Sequence, residues 1–177
     1  MEDAALLTAL REHAYLEGDF VLRSGKRSQY YLDKYRFETV PDLLEALGAR
    51  LAAKAAEVEP DAARLAGPEL GAVALAAAAS LASRLPFLIV RAEAKAYGTA
   101  NRIEGAYAAG ERIVLIEDVV TSGGAAADAV RAVRQAGLEC RTAICVIDRE
   151  EGGVDALALV GVRLFSLFSA AQVVQGR

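Results

Sequence analysis

The sequence predicts an α/β fold in which a mostly parallel central sheet is flanked by helices. The first observation is order. From residue 63 onward short strand-like runs alternate with helical stretches, and that alternation builds parallel sheets covered on both faces. The second is capacity: 177 residues, 54% apolar and 25% charged, can bury a core without disulfides or metals. The third is placement. The segments richest in polar chemistry, residues 91–105 and 117–124 and the pair Asp148-Arg149, fall at or beyond the ends of those runs. Sheets of this kind bind ligands at the carboxyl ends of their strands.

The elements follow in order. Residues 3–16 carry Ala5, Leu6, Leu7, Leu10 and Tyr15 at helical spacing, and Gly18 ends that element. Phe20-Val21-Leu22 and Tyr30-Tyr31-Leu32 read as short strands separated by the turn-forming Ser24-Gly25. Pro41 opens a helix to about Val58, with Leu43, Leu44, Leu47 and Leu51 on one face. Residues 63–66 form a strand, Gly67-Pro68 a turn, and residues 71–84 an Ala-rich helix, before a strand at 87–90. Residues 91–107 are polar, contain Gly98 and Gly105 and show no periodicity, so they read as a long mobile loop. Strands at 112–116, 141–147 and 162–167, a helix at 124–136 and a short helix from about Ala170 complete the chain. With no internal repeat or low-complexity linker, residues 1–177 are expected to form one domain.

Composition excludes several functions. The longest apolar run, residues 70–83, contains Gly71 and stops at Arg84, short of the roughly 18–20 residues that span a bilayer. Acidic Glu2 and Asp3 stand where a secretory signal carries positive charge, so a cytoplasmic protein without a membrane partner is expected. A formal net charge of −4 argues against a nonspecific nucleic-acid binder, though not against a local basic pocket. His13 is the single histidine and is expected on the surface of the first helix. Zinc binding needs about four ligands, so Cys140 and Cys145 are read as packed thiols. Ser-His-Asp or Cys-His catalysis would have to use His13.

The most informative stretch is Ile113-Val114-Leu115-Ile116-Glu117-Asp118-Val119-Val120-Thr121-Ser122-Gly123-Gly124. An apolar strand delivers two adjacent carboxylates, then a Thr-Ser-Gly-Gly turn, then a helix. Backbone N–H groups of such a turn form an anion site, because they lack partners and the helix dipole favours negative charge. The hydroxyls of Thr121 and Ser122 add donors. Glu117 and Asp118 would repel a phosphate; they suit sugar hydroxyls or a magnesium ion. Together these groups describe a ribose-5-phosphate site, and no P-loop sequence occurs. The bland alternative is an ordinary strand–turn–helix junction.

This stretch resembles the phosphoribosyl pyrophosphate signature of type I phosphoribosyltransferases. The resemblance implies the type I phosphoribosyltransferase fold, with a small N-terminal hood (mainly residues 18–37 plus a C-terminal part) and a mobile catalytic loop at about 91–107. It also implies that Glu117, Asp118, Val119, Val120, Thr121, Ser122, Gly123, Gly124 and Ala125 bind phosphoribosyl pyrophosphate, with Asp118 among the catalytic groups.

Three further segments resemble the orotate branch of that family. The run Phe20-Val21-Leu22-Arg23-Ser24-Gly25-Lys26-Arg27-Ser28-Gln29-Tyr30-Tyr31-Leu32-Asp33 is similar to its hood, whose residues lie over the base. Tyr30 and Tyr31 can stack on a planar pyrimidine, and Arg23 can meet an anion. Arg91-Ala92-Glu93-Ala94-Lys95-Ala96-Tyr97-Gly98 resembles the catalytic loop that closes over the neighbouring subunit's site. There Lys95 would neutralise the departing pyrophosphate, with Arg91 and Tyr97 as phosphate contacts. Asp148-Arg149 matches the position whose arginine grips the orotate carboxylate, and Thr121 is placed beside the base. Gly67-Pro68-Glu69-Leu70-Gly71 resembles the turn that receives pyrophosphate.

The resemblance covers about residues 5 to 170. It implies transfer of a phosphoribosyl group to orotate, magnesium bound mainly through the substrate, and a homodimer with shared loops. Two departures stand out. Ala92 replaces a second loop lysine and Leu70 replaces a lysine found in some members. Each missing ammonium forfeits a charge-assisted hydrogen bond of about 1.5–3 kcal/mol, which predicts weaker binding or slower turnover unless another cation such as Arg102 compensates. The alternatives are a phosphoribosyltransferase for another base, and a non-catalytic regulator that senses phosphoribosyl pyrophosphate. The regulator would need a basic face or a helix-turn-helix, and residues 1–17 supply one acidic helix.

Overall fold

The structure is a computed structural model, and it describes residues 1–21, 25, 27–93 and 101–176. A six-stranded sheet forms its centre. The strands are β3 (Arg64–Pro68), β4 (Phe87–Val90), β5 (Ile103–Glu104), β6 (Arg112–Val120), β7 (Glu139–Asp148) and β8 (Arg163–Ser169), in the spatial order β5-β4-β3-β6-β7-β8. All neighbours run parallel except β5, which pairs antiparallel with β4. A separate antiparallel pair, β1 (Tyr15–Val21) and β2 (Arg27–Leu32), forms a two-stranded sheet.

Side chains of the central strands alternate between two apolar layers, because successive residues of a strand point to opposite faces. On one face Val114, Ile116, Ile144 and Val146 pack with α1 (Asp3–Ala14), α3 (Pro41–Val58), α4 (Gly71–Ser83) and α7 (Ala170–Gln175). On the other, Ile113, Leu115 and Ala143 meet α5 (Gly124–Gln135) and α6 (Gly153–Leu159). Helix α3 starts at Pro41, whose missing N–H costs nothing in a first turn, and buries the stripe Leu43, Leu47, Leu51 and Ala55. Its Gly48 lets α4 approach: a Cβ there would lie 2.6 Å from Ala78 Cβ. Helix α7 carries a capping box in which Ser169 Oγ accepts from the Gln172 N–H and Gln172 Oε1 accepts from the Ser169 N–H.

The structure departs from the sequence expectations in several places. Helix α1 ends at Ala14 rather than near 16, and Tyr15 enters β1, where its ring stacks on Tyr30 at 5.7 Å. Cross-strand pairing thus overrides helical spacing there, and Gly18 lies inside β1. Within the segment expected as one long loop, Ile103 is buried and pairs with Val90 in a short strand. Two helices went unanticipated: α2 (Tyr35–Glu38) and α6. His13 is half-buried rather than on the surface, with Nδ1 2.9 Å from the Ala9 carbonyl oxygen. Cys140 and Cys145 are free, buried thiols; burial pushes Cys140 up to about 11 and raises Cys145 as well.

Candidate active site

Strands β3 and β6 are neighbours whose crossovers leave in opposite directions, β3 through α4 to β4 and β6 through α5 to β7. The strand order therefore reverses between them, which opens a crevice at their carboxyl ends. Glu117 and Asp118 lie near the end of β6, and Gly71 begins α4 just beyond β3. The approach is close: a Cβ at Gly71 would fall 1.9 Å from Asp118 Oδ2.

Asp118 is buried, and Lys34, the Val119 N–H and Glu38 meet its carboxylate. Its Oδ2 lies 2.6 Å from Lys34 Nζ, and its Oδ1 accepts from the Val119 N–H. Lys34 leads into α2, so the link runs from the β1–β2 hairpin to the floor of the crevice. Glu38 and Glu117 are also buried, and one oxygen of each, Oε1, has no hydrogen-bond partner among the described residues. Burial, then the charge of Asp118, push both carboxyls up to about 8, against an opposing pull from Lys34. Burial lowers the Lys34 ammonium, but the hydrogen bond and charge of Asp118 outweigh it and leave it above the ordinary lysine range.

Beyond Val120 the turn Thr121-Ser122-Gly123 leads into α5. Gly123 adopts φ 77°, and a Cβ on it would lie 3.0 Å from Gly153 Cα in α6. A Cβ on Gly153 would in turn lie 2.4 Å from Val120 Cγ1 and 3.1 Å from the Thr121 carbonyl oxygen. Two facing glycines thus let α6 support the turn from below. Ser122, Gly124 and Ala125 are exposed, Thr121 is half-buried, and among the described residues no side chain caps α5. Its first N–H groups are left for an anion.

Arg149 follows β7, and its N–H donates to the Val120 carbonyl at 2.9 Å, which ties it to the end of β6. Its guanidinium lies 5.7 Å from the centre of the Tyr30 ring and 3.0 Å from Glu151 Oε1. The structure therefore brings Tyr30 to Arg149. Tyr31 points from the other face of β2, is exposed, and packs on Phe20 at 5.6 Å.

Arg91 and Arg102 are joined to each other through their backbones. The Arg91 N–H donates to the Arg102 carbonyl at 2.7 Å, and Arg102 Nε donates to the Arg91 carbonyl at 2.9 Å. Glu69 reaches the same place: its Oε1 accepts from the Ala92 N–H at 2.8 Å and its Oε2 lies 3.9 Å from Arg91 Nη1. Arg102 Nη2 is bound 2.7 Å from Asp128 Oδ2 on α5, so this guanidinium is committed to that carboxylate. The predicted site residues Arg23, Lys95 and Tyr97 lie outside the described residues.

Reasoning from sequence missed Lys34, Glu38 and Gly71 as companions of Asp118. Only the position of Lys34, directly after the hairpin, could have hinted at a role. Among the described residues no group of three or more His, Cys, Asp or Glu is arranged to hold a metal ion.

No family model matches the chain. Individual proteins do. The chain is 42% identical over 172 residues to the orotate phosphoribosyltransferase of Methanocella arvoryzae, covering 97% of each. The crystal structure of orotate phosphoribosyltransferase from Aeropyrum pernix superposes with a TM-score of 0.84 at 32% identity, covering 97% of this chain and 96% of that one. The Mycobacterium tuberculosis orotate phosphoribosyltransferase in complex with 5-phospho-α-D-ribosyl 1-diphosphate gives a TM-score of 0.80 at 28% identity, covering 96% and 97%. The mostly parallel sheet is that of the type I phosphoribosyltransferases. Matched along nearly its whole length to these proteins, this chain belongs to the orotate phosphoribosyltransferase family.

Proposed function

We propose that this enzyme transfers the 5-phosphoribosyl group from phosphoribosyl pyrophosphate to orotate, giving orotidine 5′-monophosphate and pyrophosphate in pyrimidine biosynthesis. The observation that carries the reading is the place of Arg149. Its backbone is tied to Val120, at the start of the phosphate turn, and its guanidinium faces Tyr30 of the hairpin. A planar cation beside an aromatic face suits a planar base that bears a carboxylate.

The roles follow from position. The open N–H groups of α5, with Thr121 and Ser122, take the 5′-phosphate; the segment Glu117 to Ala125, including Val119, Val120, Gly123 and Gly124, forms that cradle. Asp118 and Glu117 take the ribose hydroxyls. Arg149, Tyr30 and Thr121 hold the base, with Tyr31 and Arg23 assigned to the same hood. As the bond between the anomeric carbon and the pyrophosphate oxygen breaks, positive charge builds on the ribose and the Asp118 carboxylate faces it. The new bond forms from orotate N1. Lys95, Arg91 and Tyr97 are assigned to the departing pyrophosphate. Magnesium, bound mainly through substrate, supplies charge that offsets that of the diphosphate.

The same reading takes residues 1–177 as one phosphoribosyltransferase domain, working in the cytoplasm as a homodimer in which segment 91–107 serves the neighbouring site. No helix among the described residues is long and apolar enough to cross a membrane. The test is initial-rate ultraviolet absorbance with phosphoribosyl pyrophosphate and magnesium, using orotate, uracil, adenine and hypoxanthine in parallel. Turnover confined to orotate is expected. Turnover with a purine instead would overturn the assignment, and binding of phosphoribosyl pyrophosphate without turnover of any base would point to the sensing regulator.

A further inference from the structure

We propose that Glu151 is an internal competitor for the base carboxylate: it occupies Arg149 in the free enzyme and must release it for orotate to bind. The inference rests on the assignment of Arg149 to that carboxylate.

Arg149 has little freedom. Its backbone N–H is held by Val120, its guanidinium lies against Tyr30, and its side chain is only 9% exposed. A guanidinium withdrawn this far from water needs a carboxylate partner, and Glu151 supplies one through a single contact, Arg149 Nη2 to Glu151 Oε1 at 3.0 Å. The fit is incomplete. Arg149 Nε is buried and has no hydrogen-bond partner among the described residues. A guanidinium offers a two-pronged edge, and a carboxylate that takes both prongs binds more strongly than one that takes a single donor. The Glu151 contact leaves a donor over for a ligand that can use it.

Glu151 is also built to leave. Its side chain is 29% exposed and so already borders solvent. It stands between two left-handed positions, Glu150 at φ 57° and Gly152 at φ 100°, which bend the chain back towards Arg149. The Glu150 N–H donates to Asp148 Oδ1 at 2.8 Å, which fixes the bend independently of the side chain of Glu151. The backbone therefore presents this carboxylate to Arg149, while the side chain keeps an exit to water. A removable internal carboxylate keeps Arg149 neutralised between turnovers and lowers affinity for both the base and the nucleotide product.

The test is calorimetric affinity for orotidine 5′-monophosphate and for uridine 5′-monophosphate, which lacks the carboxylate. The proteins are the unmodified enzyme, Glu151→Gln, Glu151→Asp and Arg149→Gln. Glu151→Gln should bind orotidine 5′-monophosphate about three- to tenfold more tightly, the range of a partly exposed ion pair with one buried partner. Affinity for uridine 5′-monophosphate should not change. The shorter Glu151→Asp should tighten binding in the same direction, and it provides the reading if the glutamine variant folds poorly. Unchanged or weaker binding of orotidine 5′-monophosphate would overturn the proposal. So would equal tightening of both nucleotides, which would show only a general gain for anions. If Arg149→Gln bound orotidine 5′-monophosphate as well as the unmodified enzyme, the assignment of Arg149 itself would fall. A loss there without a gain in Glu151→Gln would remove the competitor and leave that assignment standing.

Discussion

Lys34 Nζ and Asp118 Oδ2 lie 2.6 Å apart, joining the end of the β1–β2 hairpin to the carboxylate at the floor of the crevice. This ammonium stands among Asp118, Glu38 and Glu117, and it is the cation whose charge bears on both raised carboxyls. Lys34→Met should therefore destabilise the protein. Breaking a fully buried pair costs about 3–5 kcal/mol; with Lys34 one-third exposed, about 1–3 kcal/mol is expected. Thermal unfolding at pH 7 checks this, with a drop of about 2–4 °C for each kcal/mol and most of the loss restored in Lys34→Arg. A melting temperature unchanged in Lys34→Met would show that the pair contributes nothing to the fold.

Glu38 makes a prediction about pH. Its carboxyl is held at about 8 against an ordinary value of 4.5, chiefly by burial. Below about pH 4.5 the folded and unfolded chains both keep the proton. Between there and pH 8 the unfolded chain has lost it while the folded chain retains it, so stability declines as pH rises through that window and levels off above it. Glu117, raised for the same reason, acts in the same direction. Glu38→Gln should remove its share of the penalty. Its advantage in melting temperature over the unmodified protein should be small at pH 5 and grow to about 10 °C or more at pH 9. A difference that does not grow with pH would contradict the assigned cause.

The contact between Gly71 and Asp118 separates positioning from folding. Asp118→Asn should lower kcat/KM for phosphoribosyl pyrophosphate about 10–100-fold, the worth of a charged hydrogen bond to a ribose hydroxyl. The methyl of Gly71→Ala would claim the space of Asp118 Oδ2. A similar loss is expected, about tenfold or more, because small displacements at a reacting centre are expensive. Steady-state kinetics alongside circular dichroism would decide. Full activity in Gly71→Ala would mean that the crevice yields at no cost.

The fold was legible because its strands are apolar, separated by helices with clear stripes such as Leu43, Leu47 and Leu51, and punctuated by glycine. Helices α2 and α6 were not, since four and seven residues give too few turns for periodicity to show. Strand β5, two residues long, is defined by its partner Val90 rather than by its own sequence. Tyr15 misled because its position fits helical spacing, whereas its ring stacks across the hairpin. The strand–turn–helix run at 117–125 was legible because one turn needs contiguous residues. Lys34, Glu38 and Glu151 were not, because each acquires a role only from a neighbour that folding brings near, and Gly71, read as part of a turn, was not seen to face Asp118. Gly153 belongs with them: its missing side chain matters only because Val120 lies above it.

The claim at the centre of this account is that Arg149 selects the base by its carboxylate. The ratio of kcat/KM for orotate to that for uracil, measured in the unmodified enzyme and in Arg149→Gln, tests it most directly. The account predicts a strong preference for orotate that falls about 100-fold or more in Arg149→Gln, mostly through loss of orotate. A ratio unchanged by the substitution would contradict it and move base recognition elsewhere in the crevice.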